Sequence, residues 1–308
     1  MGSFLALGEC MVEIAPAEGG LCRQGFAGDT FNAAWYARRA LPGAWTVDYA
    51  TQVGRDAVSD AMLAFMAGEG IGTGSILRRE DRTVGLYLIS LKDGERSFSY
   101  WRGQSAARML AEDPAWLAQV LAGRRVIHFS GITLAILPPE GRTALCGALA
   151  RARAGGAMVS FDTNLRPRLW ESAEAMKAGL MLGASVADVV LPSFDEETGL
   201  FGDATPAATA ARYGAQGAKV VAVKNGGDPL TLWTPDGMAT REAVRVGQVV
   251  DTTAAGDSFA GTLLAGLAVG RPLADAAGAA MQVAARVIQA RGALVPGAVD
   301  QTLADQTR

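Results

Sequence analysis

The chain has 308 residues, of which 50% are hydrophobic, so it can bury a large core in one or two domains. Its formal net charge of −3 argues against nucleic acid or an anionic membrane as the main partner, because neither would attract it electrostatically. The three cysteines form no C-x-x-C pair, which argues against a structural zinc site. A small-molecule partner is favoured.

The N-terminus runs directly into a strand-like segment, Phe4–Leu7. A secretory signal would have a basic start followed by an apolar region, and a membrane helix would need roughly 18 apolar residues. Neither pattern is present in the sequence. We therefore expect a cytoplasmic protein that does not enter the membrane.

Short apolar runs alternate with Ala- and Leu-rich segments along the chain. The apolar runs predict strands at Phe4–Leu7, Val126–Phe129, Met158–Phe161, Val186–Leu191 and Val220–Val223. The other segments predict helices at Thr30–Ala40, Ala57–Glu69, Pro138–Ala154, Ala204–Ala215 and Ser258–Val269. This alternation predicts a parallel sheet covered by helices, and because no linker or repeat interrupts it, we expect a single α/β domain over residues 1–308.

Two regions, Met11–Gly25 and Thr83–Trp101, have a different pattern, and the second contains a turn-like Lys92–Gly94. Their alternation of polar and apolar residues is typical of half-exposed antiparallel strands. We expect residues from about 11–25 and 83–103 to form a small sheet at one end of the domain. Active sites of open α/β sheets lie beyond the carboxyl ends of the strands, so this sheet would serve as a lid.

The segment Asp251–Asp257 passes from an apolar run through small residues into a predicted helix. A helix N-terminus offers unpaired N–H groups and a partial positive charge, so it can hold a phosphate or the charge of a transition state. The small side chains of Ala254, Ala255 and Gly256 would let a phosphate approach the backbone. For Asp257 alone, a helix cap is the alternative to a catalytic carboxylate.

Other catalytic motifs are missing from the sequence. There is no G-x-x-x-x-G-K-[ST], and no G-x-G-x-x-G follows a strand, so Walker and Rossmann nucleotide sites are disfavoured. The one histidine, His128, lies in an apolar predicted strand. A core histidine is therefore favoured over the histidine of a hydrolase triad.

Asp251–Asp257 resembles the C-terminal signature of the PfkB/ribokinase family of carbohydrate kinases. Ala254 stands where the family usually has glycine, a variant similar to the 2-keto-3-deoxygluconate kinases, and alanine can still supply its backbone N–H there if its φ stays negative. The family's N-terminal signature, Gly-Gly-x-x-x-Asn, is matched by residues 27–32 except at its first glycine. Further matches, from Gly8 to Ala293, spread over nearly the whole chain.

The resemblance implies a ribokinase-like three-layer αβα fold with a mainly parallel central sheet and a small β-sheet lid. It implies ATP and Mg²⁺ as cofactors and phosphorylation of a sugar. Asp257 would be the catalytic base, and the backbone of Ala254, Ala255 and Gly256 would stabilise the transferred phosphoryl group. Asp251 would bind substrate and, with Thr252, frame this loop.

Substrate residues are also implied by the resemblance. Gly28, Asp29 and Asn32 would meet the sugar hydroxyls, although loop and cap roles are the alternative for these residues. A carboxylate on the sugar would be bound by arginines, whose planar guanidinium pairs with it in bidentate fashion, and surface arginines are the alternative. The residues that would recognise this sugar acid are Tyr87, Tyr100, Arg102 and Arg166.

The nucleotide side is implied by two further segments, 192–197 and 223–228. Glu196 would organise Mg²⁺ through its water shell, with an exposed acid at a helix start as the alternative. The residues that would contact the nucleotide or its phosphates are Asn164, Ser193, Lys224, Gly226, Thr252, Ala254 and Gly256.

Two other functions remain open on the sequence. A neutral-sugar kinase of the same family, such as a fructokinase, would have no need of the two arginines. A non-catalytic sugar-acid sensor is the other alternative, because a fold alone does not establish an activity. We also expect the lid edges to associate with a second copy of the chain, giving a homo-oligomer.

Overall fold

The computed structural model describes residues 2–92 and 95–299. Its strands are β1 Ser3–Leu7, β2 Met11–Pro16, β3 Cys22–Ala27, β4 Thr46–Gly54, β5 Ile76–Arg79, β6 Leu86–Lys92, β7 Glu95–Trp101, β8 Val126–Ser130, β9 Met158–Asp162, β10 Val189–Leu191, β11 Val220–Val223, β12 Leu230–Thr234 and β13 Gly237–Arg241. Its helices are α1 Asp29–Ala40, α2 Ala57–Gly68, α3 Pro114–Leu121, α4 Gly131–Ala135, α5 Pro139–Ala154, α6 Ala173–Ser185, α7 Phe194–Phe201, α8 Pro206–Gly214, α9 Ala255–Ala268 and α10 Leu273–Val287.

The larger sheet has the strand order β13-β12-β11-β10-β9-β8-β1-β4-β5 among the described residues. The pairs from β11 through β5 are parallel, and β12 and β13 are added antiparallel at one edge. Apolar clusters cover both faces of the sheet, one around Phe129 and Phe161 and the other around Phe4 and Phe31. This is the three-layer αβα architecture that the sequence predicts, and the central strands are mainly apolar because both faces are buried.

The smaller sheet has the order β3-β2-β6-β7. The pairs β2–β3 and β6–β7 are antiparallel as predicted, but β2 and β6, which belong to separate hairpins, pair in parallel. In the predicted turn Lys92–Gly94, Asp93 and Gly94 lie outside the described residues. We refer to this four-stranded sheet as the lid.

Most predicted elements begin and end within two residues of the observed ones, but one strand and one helix begin at different residues. Val186 was predicted to begin a strand, but it caps α6, its N–H donating to the Gly183 carbonyl, and β10 begins at Val189. The helix predicted from Ser258 begins at Ala255, without a side-chain cap. No helix in the described part of the chain is both long and apolar enough to cross a membrane.

Candidate active site

Polar residues gather where parallel strands of the larger sheet end. Asp162 is the last residue of β9, and Lys224 directly follows β11. Their side chains form an ion pair of 2.8 Å (Lys224 Nζ to Asp162 Oδ2). Since the carboxyl ends of parallel strands share one edge of the sheet, this edge is where an α/β enzyme places its ligands.

Helices α1 and α9 bring two further polar residues to the same edge. They approach closely because Gly261 of α9 has no side chain, and a Cβ there would lie 2.2 Å from the Ala33 carbonyl oxygen of α1. This packing places Asn32 beside Asp257, and the Asn32 amide donates to Asp257 Oδ2 at 2.8 Å. The two signature segments, far apart in sequence, therefore meet through their helices.

The Asp257 carboxylate is half-buried. Its pKa is raised to about 7, first by burial and next by the neighbouring Asp29 carboxylate. The hydrogen bond from Asn32 and the charge of Lys224 oppose this rise, while Asp162 adds to it. A carboxylate with a pKa near neutrality is suited to accept a proton from a substrate hydroxyl.

The N-terminus of α9 is open toward Lys224. Hydrogen bonding within the helix starts with the Ser258 N–H, which donates to the Ala254 carbonyl at 2.8 Å. The preceding N–H groups of Gly256 and Asp257 belong to the first turn, which has no internal acceptors. A Cβ on Gly256 would lie 3.3 Å from Lys224 Nζ, so the ammonium group stands against the helix start. Together they form a corner whose charge and open N–H groups suit an anion, and we refer to it as the anion-binding corner.

Two details of this corner differ from the sequence-based expectation. The N–H of Ala255 donates to the Thr252 carbonyl at 3.2 Å, so it is engaged within the loop. Ala254 has φ 59° and ψ 16°, which is the left-handed region. The condition of a negative φ is therefore not met at this position, because the chain turns sharply before α9.

Asp251 shapes the loop before α9 from its other end. Its Oδ1 accepts from the N–H and the hydroxyl of Thr253 at 3.1 and 2.7 Å, and its Oδ2 accepts from the Gly292 N–H at 2.8 Å. Thr252 beside it is exposed and lines the adjacent groove. Asp251 therefore fastens the loop to the segment around Gly292.

Asn164 connects the sugar side to the strand ends. Its amide donates to Asp29 Oδ2 at 2.8 Å, and its own N–H donates to Asp162 Oδ1 at 3.2 Å. Its φ of 30° is positive. Gly28, just before α1, is held against the chain after β1, where a Cβ would lie 2.1 Å from the Glu9 carbonyl oxygen.

The lid places its aromatic residues in register. Tyr87 and Tyr100 are cross-strand partners in β6 and β7, and their ring centroids lie 5.9 Å apart. The Tyr87 hydroxyl donates to Glu13 Oε2 of β2 at 2.5 Å, and Tyr87 is buried. Tyr100 is 52% exposed, so its hydroxyl is the accessible one.

Each of the two predicted carboxylate-binding arginines has a glutamate partner. Arg102 Nε donates to Glu9 Oε2 at 2.7 Å, and both side chains are buried. Arg166 Nη1 donates to Glu196 Oε1 at 3.1 Å, and these side chains are 48% and 29% exposed. A buried pair is costly to separate, whereas an exposed one exchanges partners readily. Arg166 is therefore the more adaptable of the two.

A groove of about 690 Å³ runs from the anion-binding corner between α9, α10 and the strand ends. Its polar end is formed by Ser193, Glu196, Lys224, Gly226 and Thr252. Its other end is apolar and is lined by Val244, Phe259, Met281, Ala284 and Ile288. A volume of this size, with one charged and one apolar end, fits a nucleotide.

The groove also suits Mg²⁺. In the part of the chain that the structure describes, no group of three or more His, Cys, Asp or Glu side chains is arranged to hold a metal ion. Mg²⁺ bound with a nucleotide needs no such cage, because it keeps several waters and takes most ligands from phosphates, with one or two carboxylates. Glu196 is a carboxylate in the polar end of the groove.

Sequence reasoning assigned no role to Glu9, Glu13 or Asp162, although Glu9 and Asp162 lie in segments that match the family. A carboxylate directly after or at the end of an apolar strand is the signal that identifies these two. Glu13 has no such signal, because its pairing with Tyr87 depends on how β2 and β6 align. His128 is a buried core residue as expected, 3.3 Å from Ser160 Oγ, and burial lowers its pKa to about 4.

The chain is similar to known carbohydrate kinases over nearly its whole length. Residues 2–298 match the profile of the pfkB family carbohydrate kinases. A 2-dehydro-3-deoxygluconokinase from Escherichia coli (strain K12) is 39% identical over 297 residues, covering 94% of this chain and 96% of that protein.

Solved structures agree with the fold. A PfkB protein from Polaromonas sp. JS666 superposes with a TM-score of 0.81 and 28% identity, covering 94% of this chain and 96% of that chain. A fructokinase with bound ATP from Xylella fastidiosa superposes with a TM-score of 0.79 and 26% identity, covering 98% and 94%.

Proposed function

The chain belongs to the pfkB family of carbohydrate kinases, and we propose that it phosphorylates 2-keto-3-deoxygluconate (2-dehydro-3-deoxygluconate) on its 6-hydroxyl with ATP. The single observation that carries this reaction is the Asp257 carboxylate, whose pKa is raised to about 7, at the open N-terminus of α9. The choice of substrate is supported by the relative named 2-dehydro-3-deoxygluconokinase, which matches over nearly its whole length.

Phosphoryl transfer requires mainly positioning and charge stabilisation. The oxygen of the 6-hydroxyl attacks the γ-phosphorus of ATP, the bond from that phosphorus to the β–γ bridging oxygen breaks, and ADP leaves. Asp257 accepts the hydroxyl proton. The first-turn N–H groups of α9 and the Lys224 ammonium stabilise the charge on the transferred group.

The nucleotide lies along the groove in this proposal, with its phosphates at the anion-binding corner and its base at the apolar end. Glu196 would hold Mg²⁺, which would supply charge neutralisation on the phosphates. Ser193, Gly226 and Thr252 line the same end of the groove, next to the phosphates. ATP in the fructokinase of the same fold supports this assignment.

The sugar acid lies between the lid and the strand ends. Arg166 exchanges its exposed pairing with Glu196 for the substrate carboxylate, and Arg102, which Glu9 holds in place, contacts the same carboxylate. Tyr100 offers a hydroxyl, and Tyr87, whose hydroxyl is committed to Glu13, shapes the pocket. Asp29 and Asn32 meet the hydroxyl groups nearest Asp257.

One experiment separates this kinase from a sugar-acid sensor. Calorimetry measures binding of 2-keto-3-deoxygluconate, and a coupled assay measures ADP release in the presence of Mg²⁺ and ATP. A kinase binds the acid and releases ADP in proportion to product formed. A sensor binds the acid without ADP release, and that result would overturn the proposal.

The pKa of Asp257 gives a pH prediction. The carboxylate must be unprotonated to accept a proton, so kcat/KM should rise with pH through an apparent pKa near 7 and level off above it. The charged groups that act on it are Asp29, Asp162 and Lys224. Asp29→Asn removes one negative neighbour, so it should move the midpoint to lower pH whatever its effect on maximal activity. A midpoint that Asp29→Asn leaves in place would contradict this origin of the pKa.

We further propose that the lid associates with a second copy of the chain. Within the described residues β7 is an edge strand, and it carries three exposed aromatic side chains, Phe98, Tyr100 and Trp101. Exposed apolar sheet edges are commonly covered by another chain. Light scattering at micromolar concentration should show an oligomer that Trp101→Lys shifts toward the monomer. A strictly monomeric wild type would count against this interface.

Use of ATP agrees with our expectation of a cytoplasmic protein.

A further inference from the structure

Two non-glycine residues in the described part of the chain have a positive φ, and both lie in the active site. They are Asn164 (φ 30°) and Ala254 (φ 59°). Asparagine is one of the residue types that tolerate this region, and the Asn164 side chain is also held by its hydrogen bond to Asp29. Alanine has no such compensation. The conformation of Ala254 must therefore be supported by its surroundings.

An apolar cluster that contains five lid residues provides that support. Ala254 packs against this cluster, which joins the lid to the segment after α10. The cluster consists of Met11, Ala15, Ala27, Tyr87, Ile89 and Ala293. On its other side, the Ala254 carbonyl accepts the first hydrogen bond of α9, from the Ser258 N–H. One residue thus touches the lid cluster and begins the phosphate-binding helix.

The loop and the cluster are also connected through the backbone. Asp251 accepts from the Gly292 N–H at 2.8 Å, and the next residue, Ala293, is a buried member of the cluster. The same carboxylate accepts from the Thr253 N–H, next to Ala254. A shift of the cluster would therefore reach the loop just before Ala254 as well as Ala254 itself.

We propose that Ala254 is a positioning residue that makes the anion-binding corner depend on the lid. With the lid closed, contacts of its methyl group offset the cost of the left-handed conformation. With the lid displaced, the methyl group loses those contacts, and the residue relaxes toward negative φ and moves the start of α9. Glycine would hold the same conformation in both states, because it has no Cβ.

This dependence of the anion-binding corner on the lid rests on the proposed kinase activity and refines it. Transfer to water competes with transfer to the sugar hydroxyl whenever ATP is bound under an open lid. A corner that is complete only under the closed lid suppresses ATP hydrolysis until the sugar acid is bound. The ratio of ADP release with sugar acid to ADP release without it measures this dependence.

Ala254→Gly and Ala254→Ser test the proposal. Glycine removes both the methyl group and the conformational cost, so the ratio should fall by about fivefold to tenfold, the factor expected from the cost of a non-glycine residue in this region. Serine keeps the Cβ, so the ratio for Ala254→Ser should stay within about twofold of the wild-type ratio. A thermal melt of each variant confirms that it is folded.

Ile89→Ala provides a second, independent test, because Ile89 is a lid residue that is buried in the same cluster. It should lower the ratio in the wild-type background and add little in the Ala254→Gly background, since the dependence is already lost. An unchanged ratio in Ala254→Gly, a serine variant that behaves like glycine, or strict additivity with Ile89→Ala would each overturn the proposal. Failure of the kinase assignment is distinct, because the wild type would then show no sugar-acid-dependent ADP release.

Discussion

Asp257→Asn should keep its fold and much of its affinity for both ligands while kcat falls by about 10²–10⁴-fold, the usual contribution of a general base. The amide cannot accept the proton of the 6-hydroxyl. It can still accept the hydrogen bond that Asn32 donates to Asp257 at 2.8 Å. Steady-state kinetics with the coupled assay and calorimetry of each ligand provide the two measurements.

The stability of the same variant distinguishes a catalytic carboxylate from a helix cap. The pKa of Asp257 is raised by burial, from 3.8 to about 7. The charged form therefore reduces stability as pH rises through this window. Asp257→Asn should melt at the wild-type temperature or above it at pH 8. Near-full kcat together with a lower melting temperature would identify Asp257 as a cap.

Arg166→Ala should lower kcat/KM for 2-keto-3-deoxygluconate by roughly 10–100-fold, because a hydrogen bond to a charged group contributes on the order of 1.5–3 kcal/mol. Activity with a neutral hexose should change far less. Arg166→Lys should rescue only in part, since it keeps the charge but loses the planar fork that orients a carboxylate. Misorientation at that end displaces the 6-hydroxyl at the other, so kcat should fall along with affinity.

Arg102 needs a different design, because Arg102→Ala leaves Glu9 buried without its partner. Breaking a buried pair typically costs about 3–5 kcal/mol. The loss of activity should still be larger for the sugar acid than for a neutral sugar, provided that a thermal melt shows a folded protein. The double variant Glu9→Gln, Arg102→Ala removes the unpaired charge and is the matched control. Equal losses on acidic and neutral substrates for both arginines would contradict their role in reading the carboxylate.

The sequence predicts the central strands well because both of their faces are apolar, as in Val220–Val223, which β11 matches. It does not reveal β4, since that buried strand contains Gln52, whose amide is satisfied by the Met109 carbonyl at 2.7 Å. Such a partner lies 57 residues away. A polar residue with such a distant partner interrupts the apolar run by which a buried strand is recognised in the sequence.

Most residues of the candidate site were predicted from the sequence, but their pairings were not. Motif matches identified Asp257, Asn32 and Lys224, which lie together at the strand ends. Motifs carry no information on pairing, so the partnership of Arg166 with Glu196 was not predicted. The left-handed backbone of Ala254 was not predicted either, because the cluster that it packs against is assembled only in the folded chain.

The most direct test of the account compares kcat/KM for 2-keto-3-deoxygluconate and for fructose in the same coupled assay, with ³¹P NMR to locate the phosphate on the product. The account predicts a preference of at least about tenfold for the sugar acid, because one charged hydrogen-bonded contact is lost with the neutral sugar. It also predicts that the product is the 6-phosphate. An equal or higher kcat/KM for fructose would contradict the account.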